Sequence, residues 1–245
     1  MGCGVMATPP GLCSNGKHST RPTSEQVAVQ NIDNQVEYWN RVGLDKPFSH
    51  SINFDRLATF VGPEAVLLDY GCGYGRVLES LRERGYQHLI GADPAERLVA
   101  EARARLPEAM LQVLTHGPHL ELPDASVDGV LLFGVLTCIP TDDGQRAVLS
   151  EVSRVLKTGG LLYISDFWLQ SDARNVERYE SGYVKYGRYG VFELPEGVTL
   201  RHHDREWVAE LTSGYNVAAL DETTVITMNG HHAAGFQWFG HRMNV

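Results

Sequence analysis

No stretch of this sequence is apolar for long enough to cross a bilayer. The longest apolar run, VLLFGVL at 130–136, falls far short of the ~20 residues a spanning helix needs. The opening segment, MGCGVMATPPGLCSNGKHSTRPTSEQ, lacks the charged start and apolar core of a secretory signal. It also lacks a myristoylation signal, because Met6 stands where Ser or Thr is required. Rich in Gly, Pro, Ser and Thr, residues 1–25 are expected to form a disordered tail, leaving 26–245 as the folded domain. Cysteine is scarce: Cys3, Cys13, Cys72 and Cys138 make no CxxC pair, which argues against a disulfide framework or zinc ribbon and for a reducing, cytoplasmic setting. Positive charge is in deficit, with 21 Lys and Arg against 30 Asp and Glu and a net charge of −9, so nothing draws the chain generally to nucleic acid or to an anionic membrane.

What the chain does contain is a rhythm of short apolar strands and amphipathic helices from about residue 65, the pattern of a parallel α/β sheet. Strand one reads as Val66–Asp69, followed by the helix RVLESLRERG. HLIGAD is strand two, AERLVAEARARL the next helix, and MLQVLTH strand three. VDGVLLFGV is continuously apolar, as suits a strand buried on both faces. A helix opening at Asp142 and Asp143 carries Val148, Val152, Val155 and Leu156 on one face, ends at Gly159–Gly160 and leads into strand five, LLYISD. Residues 167–203 then break the rhythm: rich in Tyr, Gly and charge, they show no clean period. After a helix DREWVAELT, the runs ETTVITM and AAGFQWFGH flank Asn229-Gly230, a strong hairpin signal. The chain is thus expected to be five parallel strands with alternating helices, an insertion, and a closing hairpin.

The turn after strand one, DYGCGYGR, decides the ligand class. A Walker A loop needs Lys-Ser or Lys-Thr after its last glycine, and none follows Gly75. The dinucleotide fingerprint needs a third glycine where Arg76 stands. The pattern present is Asp69-x-Gly71-x-Gly73-x-Gly75, with an acid, Asp93, ending the next strand, where a carboxylate can accept from ribose hydroxyls. VLLDYGCGYGR, LIGADPAERLVAEAR, LPDASVDGVLLFGVL and EVSRVLKTGGLLYISD together resemble, in order and spacing, the motifs of class I S-adenosylmethionine-dependent methyltransferases. The resemblance covers residues 60–166 and, more loosely, the terminal hairpin. It implies a Rossmann-like, mostly parallel seven-stranded sheet with a reversed terminal strand, helices on both faces, and an insertion or lid at 167–203 between strands five and six.

By that resemblance Gly71, Gly73 and Gly75 line the methionine part of S-adenosylmethionine, with Asp69 supporting the turn and Tyr70 also expected at the cofactor. Asp93 binds the ribose, Pro94 borders the adenine, and Phe133 and Gly134 close the sulfonium side. The acid that many relatives carry after strand three is absent, and Thr115 or His116 stands in its place. Cys72 is read as a small residue that fits the turn, and Cys138 as core.

Methyl transfer needs the acceptor held in line with the donor, and a base only when the acceptor must lose a proton. His202 and His203 are the first candidates for that base, ahead of His50, His231 and His232 and of Tyr183, Tyr186 and Tyr189. No metal is expected, because adjacent histidines on a strand point to opposite faces. Tyr38, Trp39, His50, Tyr186, Tyr189 and Trp207 are expected to face a small, flat or aromatic acceptor. Neither nucleic acid nor membrane is an expected partner, and the oligomeric state, homodimer included, stays open. Three rival readings are a tRNA or rRNA methyltransferase, for which ERYESGYVKYGRYG interleaves aromatic and basic residues, a non-catalytic module that binds the nucleoside, and a nicotinamide oxidoreductase, disfavoured by Arg76 at the third glycine position.

Overall fold

A computed structural model describes residues 1–2 and 31–244. The tail expected over 1–25, with Cys3 and Cys13, lies outside the described residues apart from Met1 and Gly2. The chain divides into Met1–Asn31 and Ile32–Val245, and everything below concerns the second unit.

Two short helices, α1 (Val36–Val42) and α2 (Phe54–Leu57), precede the sheet. Then come β1 (Val66–Tyr70), α3 (Arg76–Glu83), β2 (His88–Asp93), α4 (Glu96–Arg105), β3 (Met110–Val113), β4 (Val127–Phe133), α5 (Asp142–Val155) and β5 (Leu156–Phe167). The insertion holds α6 (Ala173–Tyr186), β6 (Val191–Glu193) and β7 (Thr199–Arg201). After α7 (Arg205–Leu211), the chain closes with β8 (Tyr215–Ile226) and β9 (His232–Arg242).

The seven-stranded sheet runs β3-β2-β1-β4-β5-β9-β8. β1 to β5 pair in parallel, and β9 lies antiparallel to both β5 and β8. Side chains alternate across the strands. Leu68, Val130 and Ile164 therefore face the core under α5 and α7, while Leu67, Leu131 and Tyr163 face the one under α2 and α3. The strand order reverses between β1 and β4, and the crevice outside their carboxyl ends is where such a sheet binds ligands.

Two differences from the expected elements have clear causes. α5 ends at Val155 rather than at Gly159–Gly160, because Leu156 already pairs with Val127 and the register shifts before Gly129 meets Leu161. The insertion is more regular than its sequence reads, with a helix of 14 residues and a separate two-stranded sheet. Asp172 caps that helix by accepting from Asn175 N, and Gly187 ends it in the left-handed region. The insertion is tied to the main sheet's helices by Arg201, which donates from Nη1 to Asp142 Oδ1 at 2.7 Å and to Pro140 O at 3.2 Å.

Candidate functional site

The turn after β1 is folded by hydrogen bonds to the end of β2. Gly71 N and Cys72 N both donate to Ala92 O, at 2.7 and 3.1 Å. Gly73 N donates to Asp93 Oδ2 at 2.9 Å, and Ala95 N donates to Asp93 Oδ1 at 2.8 Å. Gly71, Gly73 and Gly75 all have positive φ (79°, 51° and 89°), backbone that side chains rarely adopt. A Cβ at Gly71 would also stand 2.6 Å from Val135 Cγ2. Asp93 thus locks the turn to the start of α4, and burial raises its carboxyl to about 6 against the lowering effect of these N–H donors.

Asp69, beneath the turn, is 1% exposed, and its Oδ2 has no hydrogen-bond partner. Burial holds its carboxyl up at about 8; the Arg76 guanidinium pulls the other way and Asp93 adds to the rise. An orphaned carboxylate oxygen beside a cation is a fitting seat for an amino-acid zwitterion, ammonium on Asp69 and carboxylate on Arg76. Sequence reading treated Arg76 only as a misfit to the dinucleotide pattern, because its electrostatic partner appears only in three dimensions. Tyr70 itself turns into the core, with its hydroxyl donating to Pro118 O at 3.3 Å.

Past Phe133 and Gly134 a chamber of about 620 Å³ opens between the sheet's carboxyl edge and the insertion. Phe133, Phe167, Trp39, Phe48 and Phe192 give it aromatic walls. Three buried polar atoms on residues of its lining lack partners: His50 Nε2, Thr137 Oγ1 and Arg178 Nε. Buried polar groups are nearly always bonded, so such orphans mark where a ligand's polar atoms fit. His50 is held by a 2.9 Å bond between Nδ1 and Ser165 Oγ, packs edge-on against Phe167 at 4.8 Å, and is pushed down to about 3 by burial and then by Arg76. It is therefore a neutral imidazole near neutral pH.

His202 lines the same chamber, 4% exposed and stacked on Phe167 at 5.1 Å. Burial first, and then Arg178, hold its pKa well below the ordinary histidine value. Its Nδ1 lies 2.6 Å from Tyr179 Oη, which accepts from Gln170 N at 3.2 Å. Having accepted that N–H, the hydroxyl can still donate its own proton to Nδ1. In that arrangement the neutral ring carries its hydrogen on Nε2 and offers the chamber a donor. Tyr179, the partner that sets this tautomer, was absent from the sequence-based candidates.

His203 does not reach the chamber. The bridge between Trp168 and His203 sends the two neighbouring side chains to opposite faces. There His203 Nε2 lies 3.0 Å from Gln145 Nε2 and its Nδ1 3.3 Å from Phe167 O. Both nitrogens are occupied, burial holds the ring down at about 3, and no acceptor proton can reach it.

The other expected residues divide in the same way. Trp39, His50 and His231 line the chamber. Trp207 is buried elsewhere, its indole N–H donating to Gln145 Oε1 at 2.6 Å. Tyr186 donates to Glu193 at 3.1 Å and lines a second, smaller cavity instead of the chamber. Tyr189 packs edge-on against Tyr179 at 5.4 Å, outside the chamber lining, and Tyr183 is exposed. Tyr38 is buried in a satellite core with Tyr179 and Phe192. Thr115, His116 and His232 are exposed, and Pro94 is half-buried after β2. Cys72 is buried as expected, whereas Cys138 reaches the chamber wall, its thiol donating to Gly134 O at 3.2 Å and pushed up by burial.

Residues 68–164 match a family model described as a methyltransferase domain. A probable S-adenosylmethionine-dependent methyltransferase of Mycolicibacterium smegmatis is 35% identical over 153 residues, covering 62% of this chain and 53% of that protein. The ubiquinone biosynthesis O-methyltransferase of Idiomarina loihiensis is 30% identical over 202 residues, covering 79% of this chain and 77% of that one. A solved structure of an S-adenosylmethionine-dependent methyltransferase from Methanosarcina mazei shares the fold with a TM-score of 0.72 at 20% identity, covering 78% of this chain and 98% of that one. The chain spans about half, or less, of the first curated relatives it matches. A bovine eEF1A lysine and N-terminal methyltransferase, 30% identical over 113 residues that make 42% of this chain, is covered to 16% of its length.

Proposed function

Because this chain belongs to the class I S-adenosylmethionine-dependent methyltransferases, we propose that it methylates a small, flat aromatic or heterocyclic acceptor held in the chamber beyond Gly134. The observation that carries this reading is the chamber itself: about 620 Å³, walled by aromatic side chains, at the carboxyl ends of the strands. That volume is typical of small-molecule sites and supports this reading. S-adenosylmethionine, when bound, supplies a methyl group already activated on a sulfonium.

The rest falls to the chain's own residues. Asp69 and Arg76 would hold the ammonium and carboxylate of the methionine part. Asp93, already bonded to Gly73 N and Ala95 N, keeps lone pairs on both oxygens for ribose hydroxyls. Phe133, Phe167 and Trp39 would fix the acceptor's plane and exclude water, and alignment of this kind contributes up to ~7–11 kcal/mol in well-oriented systems. His50 Nε2 and Thr137 Oγ1 would meet the acceptor's polar atoms. His202 presents a neutral ring whose orientation Tyr179 sets.

The test is a labelled-methyl screen with purified protein over small aromatic hydroxyl, amine and heterocyclic compounds, run beside calorimetry with S-adenosylhomocysteine. Transfer to at least one such compound is expected. Tight nucleoside binding with no transfer to any of them would replace this reading with the non-catalytic module.

A further inference from the structure

The charge inside the chamber is unbalanced in a way that the methyl donor does not use. Helix α6 turns Arg174, Glu177 and Arg178 to one face, at the i, i+3 and i+4 spacing that shares a side. Among the described residues neither arginine forms an ion pair, although Arg146, Arg154, Arg188 and Arg205 all do. Glu193, also on the chamber wall, is committed to Lys185 at 2.5 Å and to Tyr186 at 3.1 Å. Arg178 also interacts with the Tyr179 hydroxyl, but among the described residues lining the chamber the charges without an ionic partner are these two guanidinium groups and the carboxylate of Glu177.

Arg178 is the more confined of the pair. Its guanidinium carbon lies 3.6 Å from the Phe192 ring centroid, and its buried Nε has no partner. His202 meets the same Phe192 ring edge-on at 4.9 Å. Arg178 and His202 therefore flank one aromatic ring, and among the described residues the buried Arg178 Nε–H donates to no protein atom. A cationic N–H donor beside a neutral one and a flat apolar surface suits a planar anion attached to an aromatic body.

We propose that the acceptor is an aromatic carboxylate whose anionic group is held by Arg178 and His202, with Arg174 drawing it in at the mouth. This rests on the reading of the chamber as the acceptor site. Arg178 and His202 are specificity-determining residues in this scheme, and His202 acts as a hydrogen-bond donor. A group kept as an anion needs no base to hold it, consistent with an imidazole whose free nitrogen already carries hydrogen.

The experiment uses the full chain saturated with S-adenosylhomocysteine and labelled with nitrogen-15 at arginine. Benzoate, 4-hydroxybenzoate and indole-3-acetate are titrated in turn, each beside its amide, while the Arg178 Nε–H signal is followed. At least one acid should move that signal downfield while its amide leaves it in place. Arg178→Gln should weaken binding of that acid about ten- to hundredfold, the loss expected for a charge-assisted hydrogen bond. Arg178→Lys should recover part of it, and affinity for S-adenosylhomocysteine should be unchanged in both variants. Equal binding of acids and amides, full acid binding by Arg178→Gln, or no acid response at all would overturn the proposal. A loss of S-adenosylhomocysteine affinity in Arg178→Gln would overturn it too, by assigning the arginine to the cofactor. If S-adenosylhomocysteine itself fails to bind wild-type protein, the methyltransferase reading of the site is what has failed.

Discussion

At the scale of single residues, the most consequential group is Asp69. Its folded carboxyl sits at about 8 against an ordinary 3.8, so the folded chain keeps a proton that the unfolded chain releases. The stability tied to that proton is complete below the ordinary value and is lost as pH rises through about 8. A bound ammonium reverses the preference, because it favours the ionised carboxylate. Affinity for S-adenosylhomocysteine should therefore rise between pH 6 and 8 by up to about tenfold per unit, the slope of one released proton. Calorimetry of wild type and Asp69→Asn checks this: the variant should bind more weakly with a flat profile, and an unchanged slope would remove Asp69 from the cofactor's contacts.

At the scale of elements, α6 makes one wall of the chamber, and Gly182 lets it do so. A Cβ there would stand 1.8 Å from Val191 O, a backbone atom that cannot rotate away. Gly182→Ala must push the helix off the β6–β7 hairpin, an overpacking cost of about 1–3 kcal/mol. For a chain of this length each kcal/mol lowers the melting temperature by about 2–4 °C. Fluorimetric melting should show that drop while S-adenosylhomocysteine still binds, since the glycine turn lies on the sheet body; a variant melting as wild type would mean the helix tolerates the shift. The helix escaped the periodicity reading because its buried face is Asn175, Tyr179 and Gly182, a polar, an aromatic and a glycine in place of aliphatic residues.

At the scale of the whole molecule, the sheet order and the net charge act together. Reversal of strand order between β1 and β4 opens a crevice at the carboxyl ends of the strands, and residues of the insertion line the chamber there. A net charge of −9 opposes polyanions at long range, and the basic residues of α6 that could have met phosphates are divided between the chamber and Glu193. Bulk tRNA should accordingly show no binding in a gel or anisotropy titration at 50 mM salt, where phosphate contacts are strongest. Binding that weakens steeply by 200 mM salt would instead favour the RNA-modifying rival.

Much of this molecule is written locally. The alternation of apolar strands and amphipathic helices, the Asp69–Gly75 turn, the acid at Asp93 and the Asn229-Gly230 hairpin each depend on neighbours within a few positions. The glycine turn, its tie to Asp93 and the fold class were therefore legible in the sequence. The groups lining the chamber and the charge beside Asp69 were not, since they meet across long separations: Tyr179 meets His202, Gln145 takes His203, Phe192 joins Arg178 to His202, and Arg76 answers Asp69. Which of two adjacent histidines faces the chamber depends on the strand register at Trp168, and no local pattern specifies that register. Tertiary packing decided it, because side-chain direction alternates along a strand and burial then settles which nitrogens remain free.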